Sequence, residues 1–240
     1  MKKSLFLALC LIAFSSLRLM AETIPATDTR ITYVGRTAVQ GTSVSFDWTA
    51  TYFRITFSGQ SLTMKASDTK RNYYNVWIDS PTSAEPHRVI AVAGNDTVIE
   101  LVDPTFLKKS RRAVHEVIVQ KRTEGEQGTT TIHEFTTLKG TFSASTPLAE
   151  RQLEFIGDSY TCGYGIDAPT KEERFSPETE NASRSYAAIV SRYFGADYIA
   201  VAHSGMGMVR NYNSKFPKWN MPERYCQTFD MDSTQATRWN

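Results

Sequence analysis

The chain has 240 residues, 41% of them hydrophobic, 12% aromatic and 22% charged, with 27 basic against 25 acidic side chains. That is ordinary globular material, which excludes a disordered, collagen-like or multipass membrane protein, and its near-neutral balance gives no footing for nucleic-acid binding. At roughly 100–200 residues per domain the length allows one or two domains.

Met1-Lys2-Lys3, an apolar run from Leu5 to Phe14 and a terminal Leu19-Met20-Ala21 have the layout of a secretory signal peptide over residues 1–21. The apolar run is too short for a membrane span, and Leu9 before Cys10 does not suit a lipoprotein site. Removing the leader deletes Lys2, Lys3 and Arg18, leaving 24 basic and 25 acidic residues. A secreted or periplasmic location follows as the expectation. In that oxidising compartment Cys162 and Cys226 could form a disulfide, with two free buried cysteines as the alternative. No Cys/His spacing suggests a structural zinc, so no metal is expected.

Residues 22–148 read as strands. Val44–Trp48, Tyr52–Phe57, Tyr74–Ile78, Arg88–Val92, Thr97–Val102 and His115–Val119 are alternating or β-branched runs set apart by Gly, Pro, Asn, Asp and Ser. Nothing there sustains a helical period, so the spacing predicts a β-sandwich, preferably a jelly roll. Ala93-Gly94-Asn95-Asp96 reads as a turn between two strands, and His87, His115 and His133 as half-exposed strand residues.

The composition changes near residue 149. Arg151–Ile156 is a strand leading into Gly157-Asp158-Ser159, Arg184–Phe194 is a helix closed by Gly195, and Tyr198–Ala202 is a second buried strand. Strand, helix and strand predict the start of a parallel α/β sheet over residues 149–240, with Pro169–Asn181 as a loop above it.

A serine directly after an apolar strand sits where ligands bind open α/β sheets. Backbone N–H groups at the helix start there favour a developing oxyanion, whereas Gly-Asp-Ser alone also suits simple helix capping. The longer string Phe155-Ile156-Gly157-Asp158-Ser159-x-Thr161-x-Gly163-Tyr164-Gly165 resembles the first block of the SGNH (GDSL) hydrolases, and its Cys-Gly-Tyr-Gly ending is similar to carbohydrate esterase family 2. His203–Tyr212, Met221–Tyr225, Asn72–Asp79 and His115–Glu124 resemble the same family.

The resemblance implies a jelly-roll domain followed by a flavodoxin-like SGNH domain, here only its N-terminal part, and an acetyl xylan esterase-like activity that removes O-acetyl groups from xylan or glucomannan without a cofactor. It makes Ser159 the nucleophile, with Ser159 and Gly205 supplying two oxyanion N–H donors. The family's third donor, the Asn of a Gly-x-Asn-Asp block, is absent after Gly205, and Asn95 lies in the wrong domain to replace it. The family's general base is a late His, whereas the only His among the 81 residues after Ser159 is His203. The chain is therefore expected to be truncated and inactive alone, His203 being better suited to local packing than to catalysis. Asp158 is expected to hold the turn, Arg210 and Asn211 to brace a loop, and Trp77, Trp219, Tyr73 and Tyr74 to pack rather than bind sugar. A non-catalytic carbohydrate-binding protein with a vestigial second domain is the alternative.

Overall fold

A computed structural model describes residues 21–215, 219–232, 238 and 239. The expected leader falls outside these save for Ala21, as does Asn240. The strand-rich half holds β1 (Glu22–Pro25), β2 (Thr32–Val34), β3 (Ala38–Gln40), β4 (Ser43–Phe46), β5 (Tyr52–Ser58), β6 (Leu62–Ile78), β7 (Arg88–Val102), β8 (Val114–Lys121), β9 (Thr130–Thr137) and β10 (Phe142–Ser143). They join one antiparallel sheet in the order β10-β5-β8-β6-β9-β4-β3, with β1 on β9, β2 on β5 and β7 on β6.

The sheet closes over itself because β6 serves two neighbours. Its Leu62–Asp68 half pairs with β9 and its Tyr74–Ile78 half with β8. Between them the register slips at Ala66/Asp68 and Asp68/Arg71, where an irregularity lets the ribbon bend. The two layers so formed enclose one core, the sandwich-like arrangement that the alternation predicts. Phe53, Ile55 and Phe57 point inward from β5 while Arg54 and Thr56 do not, and Phe53 meets Phe135 edge-on at 5.2 Å. Each such side chain withdrawn from water contributes about 1.5–3 kcal/mol.

Two expectations change here. Residues 93–96 do not separate two strands; they lie within the single strand β7, where Gly94 and Asp96 take positive φ opposite the β6 bend. A short helix also interrupts the β region: α1 (Pro104–Lys109), capped by the Asp103 carboxylate accepting from Thr105 N at 2.7 Å. Asp-Pro was the signal for it.

The second half begins with β11 (Gln152–Gly157), a single turn α2 (Ser159–Cys162), α3 (Tyr186–Tyr193), β12 (Asp197–Ala202) and α4 (Met221–Tyr225). β11 and β12 pair in parallel, Gln152 with Asp197 through Gly157 with Ala202, with α3 in the crossover and Gly195 at φ +58° just after it. The expected parallel α/β start is thus present as two strands.

The halves share apolar contacts. Ala187, Ala188, Tyr198 and Ala200 pack with Val34, Ala50 and Tyr52 of the sandwich, and Val201 and Met221 pack with Trp48. Away from the seam, Ile156, Ile189, Tyr193 and Phe194 stay largely exposed, the apolar face expected of so narrow a sheet. Among the described residues no helix is long and apolar enough to cross a membrane.

Candidate active site

Ser159 lies two residues beyond the carboxyl end of β11, and Gly205 follows the end of its neighbour β12. Parallel pairing therefore brings the two expected site residues to one sheet edge. Both line a cleft of about 640 Å³ together with Asp158, Tyr164, Ser204 and Arg210, and Ser159 also borders a second hollow beside Tyr160, Gly163 and Ile166. The sandwich contributes Glu126 to the cleft wall.

The serine's backbone is fixed by its neighbours. The Asp158 carboxylate accepts from Tyr160 N at 3.1 Å, and its carbonyl accepts from Thr161 N and Cys162 N, so Asp158 holds the turn as expected. At Gly157 a Cβ would fall 2.0 Å from Thr161 Oγ1. Gly163 ends the turn at φ +72°, and a Cβ there would stand 2.3 Å from the Asn181 carbonyl oxygen. Gly163→Ala is expected to lose about 1–3 kcal/mol from backbone strain alone, and more from this contact. A denaturant midpoint unchanged from the wild type would contradict that.

The helix expected to start at Ser159 is the single four-residue turn α2, so the oxyanion argument rests on individual N–H groups. Among the described residues neither Ser159 N nor Gly205 N donates to another acceptor, and the Ser159 hydroxyl has no partner. Gly205 takes φ +77° in a turn closed by Met206 N to His203 O and Tyr212 N to Gly205 O.

His203 sits away from the cleft, as the expectation of local packing has it. It is buried, it does not line the cleft, and its Nδ1 faces the Asp230 carboxylate at 2.5 Å with Arg224 at 3.3 Å. Burial is the largest influence and disfavours its charge, but the Asp230 hydrogen bond together with the Asp230 and Glu124 charges outweighs it and raises the pKa. Asn211 braces its loop as expected, accepting from Gly207 N and donating to Trp219 O, whereas Arg210 is exposed at the cleft. Trp77 and Tyr74 belong to the interior. The loop over 169–181 reaches both halves: Phe175 stacks on Tyr164 at 3.8 Å, and Glu178 accepts from the Tyr73 hydroxyl.

The sequence did not reveal a buried polar seam behind the cleft. Asp47 of the sandwich accepts from Asp230 N at 2.8 Å and Met231 N at 3.0 Å, while Arg224 pairs with the Asp230 carboxylate. Lys121 is fully buried, donating to Thr123 O and Glu124 O, and burial lowers its pKa against the opposing pull of Asp47 and Glu180. Glu124 accepts from Ser204 N at 2.6 Å. The Glu124 and Glu180 carboxylates and the Cys162 thiol bring one donor atom each within 4.8 Å of the others, beside that ammonium.

Burial and then the Asp230 charge raise the Asp47 carboxyl to about 7. An acid raised above its unfolded value near 4 stabilises fully below that value and loses the contribution as pH rises to about 7. Wild-type Tm is therefore expected to fall between pH 5 and 8 relative to that of Asp47→Asn. Parallel curves would refute this.

Two further expectations are corrected. Cys162 and Cys226 are both free; Cys162 is buried beneath Glu124 and Cys226 is exposed at the end of α4, so they form neither a disulfide nor a buried pair. His115 is buried and paired with Asp79 at 2.6 Å instead of half-exposed, and His87 is an exposed bend residue rather than part of a strand.

Residues 33–147 match the family of carbohydrate esterase 2 N-terminal domains. The chain belongs with carbohydrate esterase family 2. It is 33% identical over 198 residues to an acetylxylan esterase / glucomannan deacetylase of Cellvibrio japonicus (strain Ueda107), covering 80% of this chain and 51% of that protein. With cellulase/esterase CelE of Acetivibrio thermocellus it shares 30% over 165 residues, 69% of this chain and 19% of the relative. It therefore spans about half the length of the first relative and less of the second.

The solved family two carbohydrate esterase from Clostridium thermocellum in complex with cellohexaose superposes with TM-score 0.78 at 28% identity, over 88% of this chain and 61% of that one. The family two carbohydrate esterase from Cellvibrio japonicus gives 0.79 at 26%, over 92% and 63%.

Proposed function

We propose that this chain carries the sandwich and the nucleophile-bearing part of an SGNH-type domain, divided near residue 148, of an exported esterase that removes acetyl groups from a plant polysaccharide such as xylan or glucomannan. The observation that supports it most is the placing of an unengaged Ser159 hydroxyl beside two unspent N–H groups, its own and that of Gly205, in one cleft.

In this reading Ser159 Oγ attacks the acetyl carbonyl and its proton passes to a general base. The carbonyl oxygen becomes an oxyanion held by the Ser159 and Gly205 N–H groups. Collapse expels the sugar oxygen, which takes that proton, and leaves an acetyl ester on Ser159. Water then attacks this ester, giving up a proton to the same base, and releases acetate as the Ser159 hydroxyl is restored. The reading leaves the base outside the described residues, since His203 is buried and does not line the cleft. No cofactor takes part.

Acetate release from acetylated xylan and glucomannan by the whole protein tests the proposal. Release lost in Ser159→Ala supports it. Retained release in that variant, or polysaccharide capture with no release from the wild type, would replace it with the binding-protein reading.

A further inference from the structure

Glu124 and Glu180 are both buried and stand together where four segments meet. Glu124 follows the end of β8, and Glu180 closes the loop above the sheet. The carboxylate of Glu124 reaches the other two segments through one oxygen: Oε2 accepts from Ser204 N at 2.6 Å and lies 3.8 Å from the Cys162 thiol, which donates to it. Ser204 immediately precedes Gly205, and Cys162 ends the turn that Ser159 begins. A sandwich side chain thus touches both elements that carry the unspent N–H groups.

Glu180 supplies the second half of the arrangement. Its Oε2 accepts from Glu124 N at 3.1 Å, while its Oε1 is buried with no donor. A buried carboxylate oxygen without a donor, next to a second carboxylate, is costly unless a proton lies between them. The surrounding charges do not remove that need. Lys121 and Glu126 from the sandwich and the Cys162 thiol face the pair, and Asp47, Asp230 and His203 lie behind it. The Lys121 ammonium is already spent on Thr123 O and Glu124 O.

We propose that Glu124 is a positioning residue for the oxyanion pocket: with Glu180 bearing the proton between them, it fixes the Ser204–Gly205 peptide and the Ser159 turn in one geometry. This rests on the esterase reading above. Donors must be held to a fraction of an ångström to stabilise an oxyanion, and here that constraint comes from the neighbouring domain. The arrangement gives the sandwich a part in the chemistry beyond covering the α/β half.

The test uses the whole protein, ¹⁵N-labelled, and reads two quantities that do not depend on each other. One is the Ser204 amide proton shift between pH 5.5 and 9.5. The other is the rate at which a p-nitrophenyl alkylphosphonate labels Ser159, followed by intact mass. Wild-type Ser204 is expected far downfield, with an inflection near pH 8, where burial and the Glu124 charge place Glu180. Glu180→Gln should remove the inflection, hold the shift and label faster than wild type above pH 8.

Glu124→Ala should lose the downfield shift and label about 100-fold more slowly, with half-saturating phosphonate unchanged. Glu124→Gln, which keeps an acceptor for Ser204 N, should recover most of the rate without the titration, so a poorly folded alanine variant does not decide the matter. An unmoved Ser204 shift in Glu124→Ala overturns the proposal, as does a wild-type labelling rate in a variant whose Ser204 has moved. Failure of wild-type Ser159 to label overturns the esterase reading and this role together; it is told apart from a failure of Glu124 alone by the Ser204 titration, which needs no reaction at Ser159.

Discussion

Replacing Ser159 by alanine is expected to lower acetate release by about 10,000-fold or more while leaving stability within about 1 kcal/mol of wild type. The separation of the two effects follows from the surroundings. Ser159 is half-buried, its hydroxyl bonds to nothing among the described residues, and the turn is held by Asp158 and closed at Gly163 without it. Gly205→Ala is the informative companion. A Cβ there would meet only Tyr212 Cβ at 3.5 Å, so space is available, but φ +77° strains an alanine and turns the N–H. A loss near 100-fold, the usual effect of one oxyanion donor, is expected in kcat with KM little changed. A rise in KM alone, with kcat unchanged, would place Gly205 in ground-state binding instead.

The largest stability effect is expected at Asp230. Its carboxylate is fully buried and answers the Arg224 guanidinium on one oxygen and the His203 imidazole on the other, while its backbone N–H is held by Asp47 from the sandwich. Alanine at this position leaves the Arg224 guanidinium buried without its counter-charge and His203 without its partner, a change that costs about 3–5 kcal/mol. For a chain of this size that corresponds to a Tm lower by about 10 °C. Relief of Asp47 moderates the loss, so Asp47→Asn combined with Asp230→Ala should be less destabilised than the two single variants sum to. Strict additivity, or a Tm within about 2 °C of wild type for Asp230→Ala, would show that the seam does not bind the halves in this way.

What the sequence made legible was whatever its periodicity encodes. Alternation in Tyr52–Phe57 and His115–Val119 marked strands whose inward residues form the core, and the strand Arg151–Ile156 before Gly-Asp-Ser placed Ser159 at a strand's carboxyl end. The residues that join the halves had no such signature. Asp47 and Asp230 lie 183 positions apart, and Lys121, Glu124 and Glu180 are polar residues at strand ends and in loops, where solvent exposure is the ordinary expectation. Only the docking of one sheet edge against the other half buries them.

The disulfide expectation failed for a related reason. The inferred compartment allows a bridge, but the fold sends the Cys162 thiol to Glu124 and leaves Cys226 at the surface. In the β half, alternation does not report a bulge, so the bend at Gly94–Asp96 read as a turn between two strands instead of an irregularity within one.

The account turns on Ser159 forming a covalent ester. Rapid acid quenching of the whole protein with an activated acetyl ester, followed by peptide mass mapping, tests this most directly. The account predicts one acetyl group on the peptide containing Ser159, absent from the Ser159→Ala variant. Acetate release with no acyl group on that peptide, or an acyl group on another residue that persists in the variant, would contradict it.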